Sequence, residues 1–291
     1  MSTQPVPIYS DDFHIEGIIQ INDEEFQKIS SLVYSKFGIN LTEKKKALVR
    51  GRLNKLIKGL GYTSFDQYYN AVMDDRSGGQ LLSLIDKIST NHSYFFREHD
   101  HFTFLMETAL PEIVKKTGTV NGEDLRIWCA GCAAGEEAYT LAIVIREFFG
   151  PQIYRQKPII LATDISLSAL NQAAEGVYVA ERIKTVPPEY AKKYIKPAGN
   201  DKYGVADELK KLILFKRLNF MRESFPFKGK FHIIFCRNVM IYFDNETKLD
   251  LVAKFHRYMY DDGFLFIGHS ESLGRGSGLF RYVQPALYRK I

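Results

Sequence analysis

Residues Arg126–Thr140 read RIWCAGCAAGEEAYT. The apolar run RIW has the character of a strand, the small residues after it form a turn, and Glu136 and Glu137 open a helix. A strand that feeds a helix through a small-residue turn is the ligand-binding corner of an open α/β sheet. The stretch therefore bears on the fold and on what the turn holds.

From residue 125 onward short apolar runs alternate with helical stretches: IILATD (159–164), LILFKRLN (212–219), FHIIFC (231–236) and GFLFIG (263–268), with YVQPALYRK closing the chain. This βαβ alternation predicts a mostly parallel sheet with helices on both faces. Polar residues collect where the strands end: Glu136 and Glu137, then Asp164, Asn219, Arg237 and Asn238, then His269, Ser270 and Glu271. In open sheets ligands bind at those ends. Residues 178–211 interrupt the alternation with Pro187, Pro188, Pro197, Gly199 and Gly204, which predicts a small inserted subdomain.

Upstream, residues 23–88 show no strand-like alternation and read as helical. In LTEKKKALVRGRLNKLIKGLGY, Val49, Leu53, Leu56 and Leu60 recur at helical spacing and are expected to face a core. Lys44, Lys55 and Lys58 fall on the other side, and Gly59 or Gly61 ends the helix. That basic face is either solvated or a docking face for an acidic partner.

The chain of 291 residues is long enough for two domains, and its 45% apolar and 25% charged residues are those of a soluble globular protein. No apolar run approaches the roughly 18–20 residues a membrane span needs. MSTQPVPIYSDDFHIEG has no basic head followed by an apolar stretch, and three cysteines give no disulfide framework. A cytoplasmic protein is expected. The net charge of +5 points to an anionic partner, either nucleic acid or an acidic protein face.

Three ligands compete for the turn. A Trp-Cys-x-x-Cys at a strand-to-helix junction is a redox signature, but two glutamates beside it work against a thiolate, so Cys129 reads as a strand residue and Cys132 as a small turn residue. A dinucleotide would place its pyrophosphate on the helix N-terminus, where Glu136 and Glu137 repel it, and the turn is not G-x-G-x-x-G. S-adenosylmethionine has a ribose, no phosphate, an ammonium and a sulfonium. Small residues at 130–135 admit it, a glutamate attracts its positive groups, and Asp164 suits the ribose hydroxyls.

Three further strings, TNHSYFFREHDHF (90–102), FHIIFCRNVMIYF (231–243) and GFLFIGHSESL (263–273), follow the same order as CAGCAAGEEAYT and LATDIS. Together they resemble the chemotaxis receptor methyltransferases of the CheR type over nearly the whole chain. The resemblance implies a Rossmann-like α/β methyltransferase sheet, an N-terminal all-α domain and a small inserted antiparallel β-subdomain. The corresponding boundaries are a flexible tail at 1–20, the helical domain at 21–89, a linker at 90–100 and the methyltransferase domain at 101–291, with the insertion at about 178–214.

The implied activity is protein-glutamate O-methyl transfer from S-adenosylmethionine to the cytoplasmic helices of chemoreceptors, giving glutamyl methyl esters and S-adenosylhomocysteine. By position, Asn91, Ser93 and Arg97 match linker residues that close over the cofactor. Gly131 lies in the cofactor turn. Glu137 matches the residue holding the cofactor's amino acid part, and Asp164 the ribose ligand. Asn219, Phe220, Arg237 and Asn238 match further cofactor-lining positions, and Tyr242 the tyrosine beside the methyl group. An acceptor glutamate, with a pKa of about 4.3, is already ionised at neutral pH and needs no general base. Arg97 then orients the acceptor and Tyr242 lines the methyl path, so both are expected to be catalytic. Acidic receptor helices would dock on Lys44, Lys55 and Lys58, with Lys46, Arg50 and Arg52 nearby.

Family members that capture a receptor C-terminal peptide carry a longer G-T-G-x-x-x-G loop in the inserted subdomain. PAGNDKYGV (197–205) lacks it, which predicts independence from a tether peptide. His99 and His101 flank Asp100 but share no helix face, so no metal site is expected. GHSES is not a nucleophile elbow. No nucleic acid, no membrane insertion and a monomer are expected. The alternatives are a methyltransferase of this fold acting on RNA or a non-receptor protein, and a non-catalytic cofactor-binding signalling module.

Overall fold

The computed structural model describes residues 17–118, 125–151, 153, 158–274 and 278–291. Helix α1 (Asp23–Phe37) starts at a capping box, in which Asn22 and Glu25 satisfy each other's backbone N–H, and ends at Gly38 in a left-handed conformation. Helices α2 (Lys46–Gly59), α3 (Phe65–Asp74) and α4 (Gly79–Ile88) complete an all-helical unit. Its core joins Phe26, Val33, Val49, Leu53, Ile57, Phe65 and Tyr68. Leu60, expected there, is 43% exposed, because α2 ends at Gly59 and the chain turns away before it. The Asn54 side chain bonds to both the N–H and the carbonyl of Ile19 and holds residues 17–20 along the unit. The rest of the expected tail, 1–16, lies outside the described residues.

Beyond residues 89–98, α5 (His99–Phe104) runs through a π-helical stretch at Leu105–Ala109 into α6 (Leu110–Thr117). Then β1 (Ile127–Ala130), α7 (Glu136–Phe149), β2 (Ile160–Asp164) and α8 (Leu167–Glu175) set up the α/β alternation. The insertion follows as β3 (Val177–Val179), α9 (Ala180–Ile183), α10 (Pro188–Tyr194), β4 (Ile195–Pro197), β5 (Lys202–Val205) and α11 (Asp207–Lys210). Its strands make a separate antiparallel sheet, ordered β3-β5-β4. The chain returns as β6 (Ile213–Arg217), β7 (Phe231–Cys236), α12 (Asn245–Arg257) and β8 (Met259–Ile267), and ends in β9 (Phe280–Gln284) and β10 (Leu287–Lys290).

The main sheet has the order β6-β2-β1-β7-β8-β10-β9. Strands β6 to β8 in that order are parallel, and β10 runs antiparallel to both β8 and β9. Successive side chains of a strand point to opposite faces. Ile127 and Cys129 of β1, with Ile233, Phe235, Phe264 and Phe266, therefore pack under α7 on one face. Trp128 and Ala130, with Ile234, Leu265 and Ile267, pack under α12 on the other. Burial on both faces explains why these strands read as continuous apolar runs. The fold is the expected α/β sheet with an N-terminal all-α unit and an inserted antiparallel sheet. No helix among the described residues is long and apolar enough to cross a membrane.

Candidate functional site

The turn after β1 is made by Gly131, Ala133 and Gly135, all with positive φ (87°, 47° and 98°). The N–H groups of Gly131 and Cys132 donate to the Thr163 carbonyl (2.7 and 2.9 Å), and that of Ala133 donates to Asp164 Oδ2 (2.8 Å). A Cβ on Gly131 would lie 2.3 Å from Val239 Cγ2, so only glycine lets the turn approach that side chain. The small-residue turn is thus pinned to the ends of β1 and β2, as ligand binding at the carboxyl ends of strands requires.

The two glutamates at the start of α7 part company. Glu136 is buried and ion-paired with Arg182 of α9, facing the inserted sheet. Glu137 faces the cavity. Its Oε1 accepts from the Cys129 thiol (3.1 Å), and its Oε2 lies 3.5 Å from Arg237 Nε. Burial lifts the Glu137 carboxyl above the ordinary carboxylate range against the pull of Arg237. Burial, then nearby carboxylates, pushes the Cys129 and Cys132 thiols well up, and both are free. That chemistry opposes a redox dithiol.

At the end of β2, Asp164 accepts from Ala133 N–H and, through Oδ1, from Ser166 N–H (2.9 Å). Burial raises its pKa, and these backbone bonds oppose the rise. Arg237 follows β7. Its Nη2 donates to the Arg97 carbonyl, and its Nε lies 3.3 Å from Glu98 Oε2, while its Nη1 is buried with no partner. Asn219 has its side chain committed: Nδ2 donates to Lys36 O (2.8 Å) and Oδ1 accepts from Met221 N–H (3.0 Å). It ties α1 to the loop after β6, so its cavity contact is one of packing. Phe220 beside it packs edge-on to Trp128.

The FFRE motif works by anchoring. Phe95 meets Tyr178 edge-on at 5.1 Å, Phe96 stacks on Tyr190 at 5.5 Å, and the Phe96 N–H donates to Thr140 Oγ1 (3.1 Å). Phe96 and Glu98 both adopt positive φ (56° and 54°), a strained bend for non-glycine residues. The bend leaves Arg97 on the cavity wall, with its guanidinium 5.6 Å over the Tyr94 ring. Asn91 Nδ2 donates to Ser166 Oγ (3.2 Å). Tyr242 sits in the 3₁₀ turn Met240–Tyr242, its carbonyl accepting from Asn40 N–H (2.8 Å).

All of Asn91, Ser93, Arg97, Gly131, Glu137, Asp164, Asn219, Phe220, Arg237, Asn238 and Tyr242 line one cavity of about 310 Å³. The α1–α2 region closes another side with Phe37, Ile39, Leu41, Lys45, Leu48 and Arg52. That wall is invisible in the helical periodicity, which separates buried from exposed faces but not one neighbouring domain from solvent. The basic set divides accordingly. Lys44, Lys55 and Lys58 are exposed. Lys46 pairs with Asp23, and Arg50 bonds Gln20 Oε1 (2.7 Å). Arg52 donates to Ile88 O and Thr90 Oγ1 and lines the cavity. Lys45, passed over in the sequence, stands 5.8 Å over the Tyr242 ring. It is His101 and His269 that meet, at 4.9 Å between ring centroids, beside Glu98, and not His99. Arg237 against the same Glu98 oxygen opposes a cation there.

The cavity fits S-adenosylmethionine on its own chemistry. Glu137 offers a carboxylate for an ammonium, and the unpartnered Arg237 Nη1 a donor for a carboxylate. Asp164 retains lone pairs for hydroxyls, and a carboxylate at the α7 start replaces the anion site a phosphate would need. Residues 91–288 match the family model described as CheR methyltransferase, SAM binding domain, and residues 24–89 that described as CheR methyltransferase, all-alpha domain. The chain belongs to the CheR methyltransferase family. It is 46% identical over 272 residues to the chemotaxis protein methyltransferase of Borreliella burgdorferi, covering 94% of this chain and 96% of that one. It is 33% identical over 257 residues to that of Escherichia coli, covering 87% and 86%. It is 32% identical over 291 residues to chemotaxis protein methyltransferase 2 of Pseudomonas aeruginosa, covering 99% and 98%. This CheR-family chain is thus an S-adenosylmethionine-dependent methyltransferase of chemotaxis.

Proposed function

We propose that the acceptors are glutamate side chains on the helices of chemoreceptors and that the product is a glutamyl methyl ester. The observation that carries the reading is the placement of Arg97 and Tyr242 on the same cavity wall system as Glu137 and Asp164. The bound cofactor supplies an electrophilic methyl group on a sulfonium. Glu137 and Arg237 would hold its amino acid tail and Asp164 its ribose, with Asn91, Ser93, Asn219, Phe220 and Asn238 around it. Arg97 turns the acceptor carboxylate towards the methyl carbon by charge-assisted hydrogen bonds. Tyr242 lines the path. The cofactor would supply the methyl group and keep the electron pair of its carbon–sulfur bond, so the residues of this chain need move no proton for an already ionised acceptor. Alignment and exclusion of water then carry the rate.

Lys44, Lys55 and Lys58 are exposed on the unit that walls the cavity, which supports docking of an acidic helix there. In the inserted sheet, β4 and β5 are joined by the short turn Ala198–Asp201, in keeping with methylation that does not depend on a tether peptide.

The test uses methyl-labelled S-adenosylmethionine and a chemoreceptor cytoplasmic fragment. Label in the receptor that mild alkali releases as methanol is expected. Alkali-stable label would move the acceptor to another chemical class, and no label despite cofactor binding would overturn the receptor assignment.

A further inference from the structure

The connection from β7 to α12 carries six cavity residues, Arg237, Asn238, Val239, Ile241, Tyr242 and Phe243, yet only Met240–Tyr242 has regular structure. Such a segment leaves backbone N–H groups, part-buried at Asn238 and exposed at Ile241, without sheet or helix partners, and they call for an acceptor. One side chain supplies it. Glu271 Oε2 accepts from Asn238 N–H (2.8 Å) and from Gly268 N–H (2.6 Å), and Oε1 accepts from Ile241 N–H (3.2 Å). Glu271 is thereby bonded at once to the residue after Arg237, to the turn that carries Tyr242, and to the exit of β8.

The conformation so held is a costly one. Asn238 adopts φ +58°, in the left-handed region. It packs so closely on Gly268 that a Cβ there would lie 2.4 Å from Asn238 Nδ2 and 2.9 Å from Asn238 N. The far end of the connection is fastened separately. Asn40 N–H bonds the Tyr242 carbonyl, and Asp244 caps α12 through Thr247 N–H (2.9 Å). Glu271 is the fastening at the cofactor end.

We infer that Glu271 is a positioning residue for methyl transfer: its carboxylate sets the Asn238–Tyr242 turn against the bound cofactor and so places the Tyr242 ring along the methyl path. The inference rests on the site proposed above, in which that turn lines the transfer path. The two oxygens divide the work. Oε2 fixes Asn238, which borders the cofactor, whereas Oε1 fixes the 3₁₀ turn that carries the tyrosine.

The division gives the test. Glu271→Gln preserves shape, but its amide has one acceptor oxygen. With that oxygen on the doubly bonded side, its NH₂ faces the Ile241 N–H, and two donors then oppose each other. The expected result is a Kd for S-adenosylhomocysteine within about threefold of wild type and a kcat at least about tenfold lower, since small misplacements cost rate steeply. Glu271→Ala releases both ends and is expected to weaken the cofactor product about tenfold as well. Titration calorimetry gives Kd, the receptor assay gives kcat, and melting curves show that each variant is folded at the assay temperature. A Glu271→Gln protein with wild-type kcat overturns the inference. So does a variant in which kcat and binding capacity fall together in proportion to folded protein, for that marks a purely structural contact. Failure of wild type to methylate a receptor would strike the acceptor assignment instead, and the S-adenosylhomocysteine Kd of Glu271→Ala would still decide whether Glu271 holds the cofactor end of the turn.

Discussion

Glu137 and Asp164 are charged groups held in a largely dry wall, and their behaviour with pH follows from that. Burial raises both above their ordinary values of 4.5 and 3.8. The folded chain thus keeps these protons to a higher pH than the unfolded chain does. Their ionisation costs stability at neutral pH, and that cost is relieved as pH falls through the raised values towards the ordinary ones. Cofactor binding has the opposite sign, because only the ionised Glu137 attracts an ammonium. Calorimetric affinity for S-adenosylhomocysteine should therefore begin to fall above pH 4.5 on acidification, in a window where these two groups make the ligand-free protein no less stable. Glu137→Gln should weaken binding about tenfold or more at neutral pH, the scale of a lost charged hydrogen bond, and flatten the acid limb. An unchanged acid limb in that variant would assign the titration elsewhere. Gly131→Ala tests the turn itself. With φ +87° and Val239 Cγ2 at 2.3 Å from the new methyl, it should lose about 1–3 kcal/mol of stability in chemical denaturation and bind the cofactor poorly.

Helix α2 has three separate jobs, and each surface of it predicts a different phenotype. Val49, Leu53 and Ile57 build the helical core. Arg52 holds the Ile88–Thr90 segment that leads into the linker, so Arg52→Ala should reduce cofactor affinity as well as turnover. Lys55 and Lys58, with Lys44 in the 3₁₀ turn Glu43–Lys45 just before the helix, are exposed. Charge reversal at these lysines should raise KM for the receptor while leaving S-adenosylhomocysteine binding as in wild type, and the wild-type KM should rise with salt. Unchanged receptor methylation after all three reversals would remove the docking face. The basic character of this helix was legible from spacing alone. Its division was not, because the contacts of Lys46, Arg50 and Arg52 come from residues 23, 20 and 88–90, beyond reach of a helical wheel.

At the scale of the molecule, the helical unit and the methyltransferase unit are latched on two sides of the cavity. Asp86 accepts from the Leu167 and Ser168 N–H groups (2.8 and 3.3 Å) at the start of α8, a position where a carboxylate also meets the helix dipole. Across the cavity the Tyr34 hydroxyl donates to Asp244 (2.6 Å), and Ile39 bridges to Phe243. Asp86→Ala should therefore speed release of S-adenosylhomocysteine in stopped-flow experiments by several-fold, since a cap is worth about 1 kcal/mol. An unchanged release rate would mean that the latch does not gate the cavity.

The α/β alternation, the insertion and the identity of the cofactor class were determined by the chain alone, for a physical reason: strand and helix periods, small turn residues and a carboxylate without a phosphate site are local properties. Burial on both faces even made the strands stand out as unbroken apolar runs. Tertiary structure alone decided what depends on distant partners. It sent Glu136 to Arg182 and Glu137 to the cavity, although they are neighbours in sequence. It ended α2 before Leu60 could reach the core, brought Lys45 over Tyr242, and gave Glu271 its three backbone donors. Each of these outcomes turns on a contact between residues far apart in the chain or on a side chain's choice between two faces, and neither is encoded in a local pattern.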